Sequence, residues 1–206
     1  MTATVPLAAI GPTGLDEDAA RAAIYGLLAH LFYAPPSAEL LAQLQEQAAA
    51  SGSLLEASWN ALADSARELD AATVASEYDA LFGGVGKPEV YLFGSHYLAG
   101  FLNEKPLVWL RDDLSALGLA RDPAMPETED HIAYLCEVMR LLITGPDAAV
   151  ANLARQSAFF AAHIQPWAGD LCDAIAAQPA ARFYARAADF TRDFFQVEAQ
   201  GFDMLA

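Results

Sequence analysis

The sequence predicts an all-α fold, a single globular domain of about nine or ten helices over residues 16–206 behind a loose tail at residues 1–15. Three observations carry this expectation. Apolar residues recur three and four positions apart in segment after segment, the spacing of one helical face. Prolines, glycines and small polar residues interrupt that pattern at short intervals, which implies neighbouring helices on short connections. The one run with strand character, Tyr91, Leu92, Phe93 and Gly94, has no second run nearby to pair with and reads as an apolar loop. A chain of this length buries roughly 70% of its unfolded surface. A composition 55% apolar and 18% charged supplies a large core and excludes disorder.

Taken in order, Asp16, Glu17 and Asp18 open the first helix, where negative charge suits the N-terminal dipole. Ile24, Leu27, Leu28, Leu31 and Phe32 form its stripe, and Pro35 and Pro36 end it. Ser37 caps a second helix carrying Leu40, Leu41 and Leu44. Ser53 and Glu56 make a capping-box pattern ahead of Trp59 and Leu62. A fourth helix starts near Ala71 and ends at the glycines that follow Phe82. The link at residues 83–93 is the longest internal one and the expected hinge. It leads to a short helix over residues 95–102, then to one opened by Pro106 and stopped at Gly118. A long helix begins after Thr128, its expected N-cap, and runs to Gly145 and Pro146. Further helices start near Asp147 and at Pro166, and a last one carries Phe183, Phe190, Phe194 and Phe195 to about Gly201.

The net charge of −16, from 27 acids against 11 bases, disfavours nucleic acid and anionic lipid and favours basic partners. Cys136 and Cys172 lie far apart on apolar stretches and read as free buried thiols of a reducing compartment. The first twenty residues lack Lys and Arg, unlike a secretory leader, and no apolar run approaches the ~18 residues that span a bilayer. A cytoplasmic location without stable membrane insertion is expected.

Catalytic signatures are lacking. His30, His96, His131 and His163 stand apart in sequence, without a His-Glu-x-x-His or Glu-x-x-His pattern. The glycines before Lys87 are followed by Pro88 rather than Ser or Thr, so they read as a turn and not a phosphate loop. Gly94, Ser95 and His96 lack the strand and second glycine of a nucleophile elbow. The expectation is a non-enzyme without metal or cofactor. The alternative is a helical-bundle metal or small-molecule enzyme using His131 and neighbouring acids.

Two clusters remain. Tyr78, Leu81 and Phe82 share one helical face, and some 45 residues on, Glu127, Glu129, Asp130 and His131 crowd the start of an amphipathic helix. In this order the pair resembles the TorD/DmsD/NarJ family of redox-enzyme maturation chaperones. The family pattern aromatic-x-x-Leu-Phe fits Tyr78, Leu81 and Phe82. Its Glu-Pro-x-Asp-His pattern fits Glu127, Asp130 and His131, with Thr128 in place of proline. Tyr91, Ser95 and Tyr97 are similar to a Pro-Tyr-x-Ser-x-Tyr loop, and Leu135 stands where many members have Glu.

The resemblance covers about residues 16–200. It implies a helical chaperone for molybdenum-cofactor oxidoreductases that binds the client's twin-arginine signal peptide and apo form before export. It also implies a monomer or a domain-swapped dimer, with the exchange at residues 83–93. On this expectation Glu127, Glu129 and Asp130 face the arginines. Tyr91, Phe93, Tyr97 and Trp109 line an apolar groove beside them, and Tyr78, Leu81, Phe82 and His131 complete the site.

Overall fold

A computed structural model describes residues 17–47, 52–83, 87–102, 105–122 and 124–204. The expected tail at residues 1–15 and the centre of the expected hinge, residues 84–86, lie outside the described residues. Within them the chain is all-α, with ten helices and no strand. In chain order these are α1 (Glu17–Tyr33), α2 (Ala38–Glu46), α3 (Glu56–Glu68), α4 (Ala71–Phe82), α5 (Gly94–Ala99), α6 (Lys105–Ala116), α7 (Ile132–Thr144), α8 (Leu153–His163), α9 (Gln165–Ala176) and α10 (Phe183–Asp203).

The centre is the pairing of α1 with α7, the most extensive between any two elements. Tyr25, Leu28, Leu31 and Phe32 of α1 and Ile132, Cys136, Met139 and Leu142 of α7 are fully enclosed. Helix α10 packs on α9 and α3, and the α5 and α6 pair leans on α9. Burial raises both thiols, that of Cys172 to about 12, so both are neutral and inert. Arg21 joins α1 to α10 and α8 through Glu198 (2.7 and 2.9 Å) and Gln156 (3.0 Å). The Tyr25 hydroxyl also donates to Glu198 (2.9 Å), so this buried polar group is paired on every side.

Several local expectations hold. Ser37 caps α2, its hydroxyl accepting from the Leu40 N–H (3.2 Å), and Gly118 adopts φ +73°, the left-handed conformation a helix stop requires. Others are corrected. At α3 the N-cap is Leu55, without a side-chain hydrogen bond, and Glu56 accepts instead from the Gly52 N–H (2.6 Å). The short helix runs Gly94–Ala99, because Gly100, at φ +78°, ends it three residues before the expected limit. Helix α8 starts at Leu153 rather than near Asp147, since Asn152 provides the cap by accepting from the Arg155 N–H (3.1 Å). Helix α7 starts at Ile132 rather than just after Thr128, which moves the acids out of its first turn.

Candidate functional site

The site is organised by a pairing that no local pattern announces. Residues 92–94 meet residues 130–132 in one antiparallel bridge between Phe93 and His131. Gly94 N–H donates to the Asp130 carbonyl (3.0 Å) and Ile132 N–H to the Leu92 carbonyl (2.9 Å). The strand character of residues 91–94 therefore finds its partner far along the chain. Gly94 is required by contact as well: a Cβ there would stand 3.0 Å from the Trp167 indole.

At this bridge the side chains take up internal tasks. His131 is the N-cap of α7, its Nδ1 accepting from the Ala133 N–H (3.2 Å). That bond needs the neutral ring with its proton on Nε2. Burial pushes the His131 pKa down to about 4, against the opposing pull of Asp130. Thr128 does not cap α7; its hydroxyl donates to Asp130 Oδ1 (2.6 Å). Asp130 Oδ2 accepts from the Ser95 N–H (2.9 Å) in the first turn of α5. Asp130 is thus 4% exposed and hydrogen-bonded through both oxygens, and it has no ion-pair partner among the described residues.

The two other acids differ from it. Arg111 of α6 grips Glu129 through two bonds (3.0 and 2.9 Å). Burial works against ionisation of Glu129, but that guanidinium still holds its carboxyl below the usual range. Glu127 is half-buried and unpaired among the described residues. The Tyr78 hydroxyl is raised to about 12, first by burial and then by the charge of Glu127.

Tyr78, Leu81 and Phe82 turn toward the interior, whereas Asp79 and Ala80 between them are exposed. The Tyr78 hydroxyl donates to the carbonyls of Tyr33 (2.8 Å) and Phe32 (3.2 Å), satisfying the open end of α1. Phe82 meets Phe32, Tyr78 and Tyr184 edge to face, and Leu81 is 1% exposed. The neighbouring Glu77 caps α10 by accepting from the N–H groups of Arg182, Phe183 and Tyr184 (2.8, 3.1 and 2.7 Å). Helix α4 is therefore a brace between the two longest helices.

A cavity of about 510 Å³ opens between α5, α6, α8 and α9. Leu98, Trp109, Leu110 and Trp167 wall it, and Ser95 and Asp130 also line it. The Ser95 hydroxyl is buried and has no hydrogen-bond partner among the described residues. Asp113 and His163, 2.7 Å apart, and Lys105 supply further charge or polarity. Leu98 and Trp109 on its wall are 42% and 62% exposed, and Phe101, Leu102 and Val108, close to them in the chain on α6 and the segment before it, are exposed apolar side chains as well.

Of the residues expected from sequence, Trp109 and Asp130 line this cavity. Tyr97 backs it by stacking on Trp167 (5.4 Å, 17°), and its hydroxyl donates to the Tyr91 carbonyl (2.8 Å). Tyr91 stacks on His96 (4.3 Å), and Phe93 packs edge-on against His131 (5.0 Å). Sequence reasoning missed Ser95, Arg111, Glu77, Tyr33 and Tyr134. Ser95 carries a signal as part of the loop resemblance with Tyr91 and Tyr97, but not one that marks its hydroxyl as a binding group. Tyr134 carried a signal, since it follows His131 by one helical turn. Among the described residues no three His, Cys, Asp or Glu side chains converge as a metal site.

A family model described as nitrate reductase delta subunit matches residues 33–173, more than half of the chain and inclusive of both motif stretches. No curated protein matches the chain.

Proposed function

Because the chain belongs to the nitrate reductase delta subunit family, a family of molybdoenzyme maturation chaperones, we propose that it captures the twin-arginine signal peptide of a molybdenum-cofactor oxidoreductase. It holds the apo form in the cytoplasm until cofactor is inserted, and it performs no catalysis of its own. One observation carries this reading: the exposed apolar side chains Leu98 and Trp109 border a cavity whose lining offers a hydroxyl and a carboxylate that have, among the described residues, no hydrogen-bond partner and no cation respectively. Apolar surface gathered in one place on a protein marks a binding site. A buried carboxylate lacking a counter-ion favours a donor-rich cation.

The chemistry of such a peptide is complementary to both features. Its apolar core covers Leu98, Phe101, Leu102, Val108 and Trp109. An arginine guanidinium, with five donors in a planar fork, reaches Ser95 Oγ and the remaining lone pairs of Asp130. Glu127 and Glu129 lie beyond as further anions, and the net charge of −16 speeds the encounter. Tyr91, Phe93, Tyr97 and His131 hold the shape of the site, while Tyr78, Leu81 and Phe82 hold the helices beneath it. An exchange of segments between two copies would take place through the link at residues 83–93.

Calorimetric titration of a client signal peptide tests the reading. Trp109→Ala is expected to weaken binding at least tenfold, as for a central aromatic anchor, with the unfolding transition unchanged because the ring is 62% exposed. Equal affinity of the wild type and the variant would reject this face as the docking surface.

A further inference from the structure

We propose that α6 is a movable wall of the cavity beside Ser95, and that release of its two polar ties opens the way to the groups within. The proposal rests on the client-capture reading above and adds how that site is reached. The groups assigned to the client are closed off. Ser95 is 0% exposed and Asp130 4%, so a guanidinium, larger than water, reaches them only once a wall has shifted.

Of the four helices around the cavity, α6 is the one least held. Helices α8 and α9 pack on each other and on α10, α8 also packs on α7, and α5 is set against α9. Among the described residues α6 packs closely against α5 alone. It gives Lys105, Pro106, Trp109, Leu110 and Asp113 to the cavity lining, positions that share one helical face. Leu107, Leu110 and Leu114 seat it on the core. Beyond them, two polar contacts tie it down on opposite sides. Arg111 holds Glu129, ahead of α7, and Asp113 Oδ2 accepts from His163 Nε2 at the end of α8 (2.7 Å). Each tie has one exposed partner, Arg111 or Asp113, and exposed pairs of this kind hold weakly. The chain turns at Gly100 before α6 and at Gly118 after it. At both glycines a Cβ would meet no atom within 4 Å, so neither turn is wedged in place. An element with few helix neighbours and exposed polar bonds opens before the rest of a fold. As α6 shifts, the apolar residues of a client segment cover the leucines it uncovers.

The test uses the full chain and a thiol as reporter. Ser95→Cys places that thiol at the enclosed position, and Cys136 and Cys172, buried and neutral, serve as silent references. Alkylation by iodoacetamide is then followed at all three. Arg111→Gln, which lies outside the cavity lining, and Asp113→Ala are each expected to speed modification of the introduced thiol about threefold. Arg186→Gln, which removes a similar exposed pair on α10, should leave the rate unchanged. An unchanged rate in both tie variants, or an acceleration shared by Cys136 and Cys172, overturns the movable wall and leaves client capture standing. With Ser95 in place, association of a signal peptide should quicken in Asp113→Ala by the factor seen in alkylation. Binding at the wild-type rate despite faster alkylation overturns α6 as the way in. If alkylation quickens but no signal peptide binds, client capture fails and the movable wall stands.

Discussion

Tyr78 turns its hydroxyl inward to the last carbonyls of α1, whereas Asp130, buried more deeply, sets its carboxylate at the edge of a cavity bordered by the exposed Trp109. Both belong to short motifs, and both satisfy backbone groups that a helix end leaves open. The difference lies in what remains. Leu81 and Phe82 beside Tyr78 pack against other side chains, so that stretch presents little to a partner. Beside Asp130 remain, among the described residues, the Ser95 hydroxyl without a partner, Glu127 without a cation and the exposed Leu98 and Trp109 on the cavity wall. A motif can therefore mark a brace as readily as a contact surface, and unsatisfied chemistry tells the two apart.

The largest effect that would sharpen this contrast is expected at the brace. Leu81→Ala should cost about 2–5 kcal/mol of stability, measured by urea unfolding, while the folded fraction binds peptide as before. Lost affinity at unchanged stability would move residues 78–82 to the recognition side.

His131 comes next, through pH. Its ordinary pKa near 6.5 falls to about 4 in the folded chain. Between these values the unfolded chain binds the extra proton. The stabilisation is complete above about pH 6.5 and declines as pH falls toward 4, by up to ~3 kcal/mol. His131→Asn keeps a capping oxygen without a titrating ring. Wild-type stability relative to this variant should fall by about that amount across the window, and a difference constant with pH would contradict a buried neutral cap.

A smaller effect is expected at Arg111. Its ion pair with Glu129 is partly exposed, so Arg111→Gln should change stability by under about 1 kcal/mol. Freeing Glu129 should tighten binding of a cationic peptide, most at low salt, where charges are least screened. Unchanged binding would leave Glu129 outside the contact surface.

The all-α architecture was legible because helical periodicity is a local property, and Ser37 and Gly118 mark their boundaries for reasons of local geometry. The start of α7 was not. Thr128 has the residue type of a cap, but its hydroxyl turns to Asp130, and a histidine provides the cap instead. The bridge between Phe93 and His131 joins segments far apart in sequence, so periodicity within either one could not reveal it. The Ser95 cavity arises from how α5, α6, α8 and α9 pack, and residue type alone does not show whether a serine hydroxyl is satisfied. Trp109 and Asp130 were identifiable by type. That Tyr91, Phe93 and Tyr97 brace the wall required the assembled helices.

The central claim, that unsatisfied groups at the Ser95 cavity are there for a client, meets its most direct measurement in Ser95→Ala. Its hydroxyl has no partner to lose among the described residues, so unfolding free energy should stay the same or rise. Affinity for the signal peptide, measured on the same samples, should fall about fivefold, the effect of one hydrogen bond. Loss of stability with unchanged affinity would contradict the account.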